Sequence, residues 1–297
     1  MVWFAFMLAW SGAAVQPFVF VHQLVTVGPL VIVPLTLAHV IPDKAWGRAL
    51  FGAWALGAVC TAVAVRMPPG VAAALVAGVW VIVTGLMAAV GVARASARAR
   101  AGVLMKQLPE LCLDAGLIYI PVGAIWLVAD RAAYGLMGFP ALIVVLTAAH
   151  FHFAGFAAPV IAGLTGRWLD TPGRVWKLSA LAAIAGPPVV AIGITTSPWM
   201  EVAGSTALAI GMGLLALLMI FVVGKRRGGI VRVLLSVAGL AILATMLLAC
   251  LFAVGEYIGF QAISIPVMIA THGVANVFGF SVLGLVAYAL DPPAPSP

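Results

Sequence analysis

Apolar segments of about 20 residues or more follow one another along almost the whole 297-residue chain. A helix needs about 20 apolar residues to cross the hydrocarbon core of a bilayer. Within that core every backbone N–H and C=O must be paired inside the chain, which leaves only helices or closed barrels. Barrel strands alternate in polarity over about ten residues, whereas these segments are continuously apolar. The pattern therefore predicts an all-α, polytopic transmembrane helical bundle.

Breaks at charged residues, prolines and glycines divide the chain into nine predicted spans. The first 15 residues are apolar but short, and we interpret residues 1–15 as a half-helix or interfacial segment. Loops between the spans are short, which predicts a single membrane domain over residues 1–297. The predicted spans lie near residues 17–41, 46–65, 70–93, 110–129, 139–165, 175–197, 199–223, 229–255 and 266–290.

The few charged residues exclude several classes of partner. Only 8% of residues are charged, against about 25% in soluble domains, so the expected partner is the lipid bilayer. Lys and Arg lie in short loops, where they form no basic face for nucleic acid. The phosphate-binding pattern G-x-x-x-x-G-K-[ST] is absent, which argues against a nucleotide partner. Other membrane subunits remain an open alternative.

The distribution of positive charge predicts an orientation. Thirteen of the fifteen Lys and Arg residues fall on one side of the nine-span topology, and Arg66 and Arg131 fall on the other. Short cytoplasmic loops are enriched in Lys and Arg. The N-terminus is therefore expected outside and the C-terminus inside.

Two histidines in the fifth predicted span, His150 and His152, are the main candidate functional residues, since ionisable groups near the membrane midplane are costly. Positions two apart on a helix differ by about 200°, so the two rings should point to nearly opposite faces. They would serve two sites, or one site and one helix contact. Because haem iron takes axial imidazole ligands, we consider haem or a transition metal as the cofactor.

Further polar residues at similar depth extend this candidate site. His272 in the last span is a third candidate metal ligand, and His22 in the first span is a candidate cofactor-binding residue. Asn276 follows His272 at i+4, on the same helix face, and Thr271 adds a hydroxyl. Interhelical hydrogen bonding is the alternative role for all of these histidines.

Acidic and phenolic groups suggest a second type of site. Asp114 lies one turn inside the fourth span, and Tyr119 follows it, so the two residues could begin a proton path. The alternative, which we favour, pairs Asp114 with basic residues of the adjacent 94–109 loop. Glu256, near the outer end of the eighth span, is a candidate polar contact that could face His272.

Two resemblances add to this interpretation. The string AHFHF at residues 149–153 resembles the H-x-H helix of haem-copper oxidase subunit I, but the adjacent His-His pair and the His-Pro-Glu segment of that family are absent. The strings GLIYIPVGAIWLVADR, VVLTAAHFHFAGFAAPVIAGLTGR and THGVANVFGF resemble the YndJ-like family of bacterial membrane proteins. That resemblance implies a multi-pass protein of the bacterial cytoplasmic membrane, of unassigned role but sometimes labelled a transporter.

Three functional hypotheses follow from the sequence. The first is a haem- or metal-binding redox or gas-handling protein that uses the intramembrane histidines. The second is a transporter or channel for a small solute or protons. The third is a non-catalytic membrane subunit in which the histidines join helices. No enzyme activity is assigned from the sequence.

Overall fold

A computed structural model describes residues 16–40 and 45–295, and in this part of the chain nine helices are long and apolar enough to cross a membrane. This confirms the predicted helical transmembrane architecture. The expected half-helix over residues 1–15 lies outside the described residues. The helices are α1 (Pro17–Val40), α2 (Ala45–Ala64), α3 (Val71–Arg100), α4 (Leu108–Arg131), α5 (Ala141–Arg167), α6 (Arg174–Thr196), α7 (Pro198–Arg226), α8 (Gly229–Tyr257) and α9 (Ile265–Leu290).

Helix α4 lies deepest in the bundle. Of the nine spans it has the largest buried share, 56% of its apolar window, whereas α8 has the smallest, 28%. It packs against both α3 and α5. Helix α1 also contacts α5, and α9 packs along α8. Helices α1, α4 and α5 thus form the inner part of the bundle, where polar side chains avoid lipid.

Helix α3 is longer than the sequence pattern predicts, because it continues to Arg100 instead of ending near residue 93. Its last two turns carry Arg94 and Arg98, which form ion pairs with acidic residues of α4. These pairs neutralise charges that would otherwise end the apolar span. The expected 94–109 loop is therefore reduced to the few residues between Arg100 and Leu108.

Several helices contain wide π-helical turns in place of regular α-helix. Such turns are rare and occur often at functional sites. The π-helical segment of α1 contains Gly28 and Pro29, and that of α5 contains Gly155. Two further segments occupy much of α9. The π-helical segments are Gly28–Ile32, Phe153–Ala157, Met219–Val223, Ile269–Gly273 and Ala275–Val282.

Candidate functional site: an intramembrane histidine cavity

A partly open cavity of about 100 Å³ lies between five helices of the bundle. Helices α1, α5, α7, α8 and α9 each contribute side chains to its wall, which is almost entirely apolar. Three of the π-helical segments, one in α5 and two in α9, provide part of this wall. The polar exceptions on the wall are His150, His272, Asn276 and Ser281.

His150 and His272 face each other across this cavity. Their ring centroids are 6.5 Å apart and the ring planes are inclined by 30°. His150 comes from the last turn of α-helix before the π segment of α5, and His272 lies within a π segment of α9. The structure therefore brings together two of the three histidines that the sequence proposes as metal ligands.

The hydrogen bonds of this pair define which ring nitrogen is free. In His150, Nδ1 lies 2.8 Å from the carbonyl oxygen of Leu146, and in His272, Nδ1 lies 2.9 Å from that of Thr245. A carbonyl oxygen only accepts, so each Nδ1 carries the proton and donates. In the neutral rings each Nε2 is then an unprotonated nitrogen with a lone pair, which can bind a metal ion or accept a hydrogen bond.

Asn276 supports the α9 side of the cavity. Its Oδ1 accepts a hydrogen bond of 3.0 Å from the hydroxyl of Thr245, the residue whose carbonyl also receives the His272 proton. Thr245 thus holds His272 and Asn276 of α9 in place. Thr271 does not line the cavity, and its hydroxyl donates to the carbonyl of Val267 in its own helix.

His152 lies on the other side of α5 and is fully buried. Its Nδ1 donates to the carbonyl of Ala148 over 2.7 Å, and its Nε2 accepts from the indole Nε1 of Trp80 over 2.9 Å. Both ring nitrogens are therefore engaged within the protein. The H-x-H spacing allows two arrangements, and the structure has His150 on the cavity wall and His152 in a contact between helices.

Glycines make room for the His152 ring. A Cβ atom added at Gly123 of α4 would lie 2.7 Å from its Nδ1, and one added at Gly28 of α1 would lie 2.9 Å from its Cδ2. Real Cβ atoms do not approach so closely, so both positions require glycine. This close packing of α1, α3, α4 and α5 around one ring is typical of a structural contact.

His22 belongs to a separate buried ion cluster and not to the cavity wall. Its Nε2 lies 2.7 Å from Oδ2 of Asp130 and 2.7 Å from Nη2 of Arg131, and Arg131 also binds Asp130 through Nε at 2.7 Å. These residues join α1 to the end of α4. Since its Nε2 is committed to this cluster, the structure does not group His22 with His150 and His272.

Asp114 takes part in a second ion cluster, at what we call the basic end of the bundle, where Arg94, Arg98 and Arg167 meet Glu110 and Asp114. Arg94 Nε lies 2.8 Å from Asp114 Oδ1, and Arg98 contacts the other carboxylate oxygen. Arg167 holds Glu110 with two bonds, of 2.7 and 2.8 Å. Asp114 thus lies in ion pairs with Arg94 and Arg98, the arrangement that we favour over a proton path.

Tyr119 and Glu256 lie apart from these groups. The hydroxyl of Tyr119 donates to the carbonyl of Ile184 in α6 over 3.0 Å. Glu256 lines a separate depression at the end of α8, together with Gln261. The structure therefore does not join either residue to His272 or to Asp114 in a continuous polar path.

Three partners of these histidines were missed in the sequence. Trp80 lies in the middle of its span, although tryptophan is enriched at membrane interfaces, and this unusual depth was a usable signal. Asp130 and Arg131 stand next to each other at the end of α4, where they look like an ordinary helix terminus. Their burial, at 8% and 4% exposure, depends on neighbouring helices and has no local signal.

Among the described residues no group of three or more His, Cys, Asp or Glu side chains is arranged to hold a metal ion. Any ion in the cavity would therefore be bound by the two imidazoles and by ligands of another kind.

Together, the fold and the site define a polytopic helical membrane protein with a histidine-containing cavity between its helices. The chain belongs to the YndJ-like family, whose family model matches residues 23–280. The matched range includes His150 and His272 of the cavity. This confirms the family resemblance that the sequence motifs indicated.

A curated relative is the "Uncharacterized membrane protein YndJ" of Bacillus subtilis (strain 168), which is 29% identical over 189 residues. The aligned region covers 64% of this chain and 34% of the relative, so the chain spans about a third of the length of that relative. No solved structure matches the chain significantly.

Proposed function

We propose that this chain is a membrane-embedded metal-binding protein in which His150 and His272 hold one transition metal ion inside the helical bundle. The observation that carries the proposal is the arrangement of the two rings. Each donates its Nδ1 proton to a backbone carbonyl, and metal-binding histidines are oriented by this kind of hydrogen bond. The Nε2 atom of each ring is therefore available to bind a ligand.

The ring separation supports a shared ion. With a metal–nitrogen distance of about 2.0–2.1 Å, one ion bound between two opposed imidazoles places the ring centroids up to about 6.4 Å apart. The observed separation is 6.5 Å. The observed separation is slightly above this limit for a linear nitrogen–metal–nitrogen arrangement, so the two rings must approach each other to share an ion, and by more where further ligands bend that angle.

The size of the cavity favours an ion over haem. Pockets that enclose drug-sized ligands have volumes of about 300–1,000 Å³, whereas this cavity measures about 100 Å³. A porphyrin would not fit within this volume unless the wall of the cavity rearranged. Of the two cofactors that the sequence suggests, we therefore propose the transition metal and not haem. An ion held by two side chains keeps open positions, which suit a redox, gas-binding or metal-transfer role.

Metal content of purified variants tests this proposal. The protein is purified in detergent, loaded with copper, zinc or iron, desalted and measured by elemental analysis. Wild type should retain one ion per chain, and His150→Gln and His272→Gln should lose it. His39→Gln is the matched control, since His39 lies at the basic end of the bundle, outside the cavity. Wild type that retains no ion, or His150 and His272 variants that retain as much as wild type, would refute the proposal.

A carrier for a small solute is the second candidate, and the π-helical turns of α5 and α9 around the cavity favour it. Such turns often accompany function, and wide turns leave backbone groups able to change partners. Flux through proteoliposomes should then fall in His150→Ala and Asn276→Ala. Flux that is unchanged in both variants would count against a carrier.

We also propose that the basic end of the bundle faces the cytoplasm of a bacterial cell. Supporting this, the ends of α1, α3 and α5 and the start of α4 meet there through Arg94 and Arg167. Reporter fusions in the loops test the orientation. A cytoplasmic reporter fused after Arg100 should be active, and one fused after Arg66 should be inactive.

A further inference from the structure

Two methionines line the same cavity as the histidine pair. Met212 of α7 is buried, at 2% exposure, and Met246 of α8 is half-buried. Met246 directly follows Thr245, whose carbonyl binds Nδ1 of His272. The two methionines therefore lie on walls of the cavity that the histidine-bearing helices α5 and α9 do not provide.

The electrostatics of the cavity restrict the charge of an ion. Its described wall contains no Asp, Glu, Lys or Arg, so a bound cation would have no counter-charge beside it. The free energy needed to move an ion from water into an apolar medium rises with the square of its charge. A monovalent ion with neutral ligands is therefore favoured over a divalent one.

We infer that the site binds Cu(I), through Nε2 of His150 and His272 and through the thioether sulfur of Met212 or Met246, or of both. Thioether ligands select Cu(I) among the biological metals, while imidazole binds several of them. This inference rests on the proposed metal site and adds the identity of the ion and its sulfur ligands. The methionines also supply ligands other than His, Cys, Asp and Glu, of which no group of three or more among the described residues is arranged to hold a metal ion.

Methionine also fills irregular gaps in apolar cores, so the test must separate ligation from packing. Leucine has a similar volume, and Leu and Met exchange in cores at a cost that is usually below about 1.5 kcal/mol. Met212→Leu and Met246→Leu thus remove the sulfur and keep the packing. Met219→Leu is the matched control, because Met219 is fully buried in the same helix as Met212 and lies outside the cavity wall.

The experiment measures the Cu(I) affinity of the detergent-purified 297-residue chain by competition with a chromophoric Cu(I) chelator under reducing conditions. Zn(II) affinity is measured in parallel. We expect wild type to prefer Cu(I), and Met212→Leu/Met246→Leu to lose more than about tenfold in Cu(I) affinity, the lower end of the loss caused by removing even an outer partner of a metal site. Met219→Leu should behave as wild type. X-ray absorption of the copper-loaded protein should show both nitrogen and sulfur neighbours.

The possible outcomes distinguish failure of the Cu(I) inference from failure of the proposed histidine metal site. If His150→Gln and His272→Gln lose the metal while the double methionine variant binds Cu(I) as wild type does, the sulfur ligands are refuted and the histidine site stands. Stronger binding of Zn(II) than of Cu(I) would refute the identity of the ion alone. Binding that the histidine substitutions leave unchanged would refute both.

Discussion

The indole Nε1 of Trp80 donates a 2.9 Å hydrogen bond to Nε2 of His152, and this bond distinguishes His152 from its neighbour His150. The two rings share one helix and the same kind of Nδ1 bond to the carbonyl four residues earlier. The Nε2 partner differs, and so does burial, because His152 is fully buried whereas His150 is exposed. Histidine at 152 therefore joins helices, while histidine at 150 presents a lone pair to the cavity.

Trp80→Phe should destabilise the protein without affecting the cavity. It leaves the buried Nε2 of His152 without a donor, and an unsatisfied buried polar group costs about 1–3 kcal/mol. Thermal unfolding in detergent measures the loss. Trp199→Phe is the control, since Trp199 is 65% exposed, and such a change is usually within about 0.5 kcal/mol. Equal melting temperatures for Trp80→Phe and wild type would contradict the role of this bond.

Gly123→Ala should destabilise the bundle through a steric clash. The new Cβ would lie 2.7 Å from Nδ1 of His152 and 3.0 Å from the carbonyl oxygen of Ala148. Overpacking of this kind costs about 1–3 kcal/mol. Gly85→Ala in α3 provides the comparison, because no atom lies within 4 Å of its added Cβ. The prediction fails if both alanine variants melt at the same temperature.

Glu110→Gln should be strongly destabilising at the basic end of the bundle. It removes the carboxylate that Arg167 binds twice and that Arg94 also contacts. Breaking a buried ion pair from one side costs about 3–5 kcal/mol. Asp170→Asn offers a contrast at the exposed pair with Arg226, where about 0–1 kcal/mol is expected. Yield of folded protein and melting temperature give the readout, and similar losses in both variants would argue against the prediction.

Asp130→Asn and Arg131→Gln should show strong coupling in a double-mutant cycle. Each single change leaves a buried partner uncompensated near His22, whereas the double change removes both charges together. Residues in one ion-pair network show coupling of about 0.5–3 kcal/mol. Unfolding of the four proteins in detergent measures it. Additive losses would mean that the two charges do not interact as their 2.7 Å distance implies.

The helical architecture could be predicted from the sequence because it follows from one strong constraint. A continuous apolar run of about 20 residues has few stable alternatives in a bilayer, so the kind of fold is encoded locally. The continuation of α3 beyond the predicted span has no local signal, since Arg94 and Arg98 look like loop residues until Glu110 and Asp114 are brought beside them. Helix length there depends on a neighbouring helix.

The candidate site was predictable only in part. The opposite directions of His150 and His152 follow from helix geometry, and their depth follows from their position in the span. Which ring finds a partner depends on Trp80, about 70 positions away in the chain, and on the glycines that let helices approach. The meeting of His150 with His272 likewise depends on the packing of α9, which no local pattern specifies.

Helix α4 carries a buried charge cluster at each end, with Asp114 in one and Asp130 in the other. Sixteen residues of helix separate these carboxylates, which corresponds to about 24 Å at 1.5 Å per residue. This length lies slightly below the roughly 30 Å of a typical hydrocarbon core. The apolar part of α4 between the two clusters is therefore matched to a thinner hydrocarbon core than the typical one. In a bilayer of lipids with longer acyl chains, one carboxylate cluster would lie within the hydrocarbon core. We therefore expect the protein to be most stable in thin membranes.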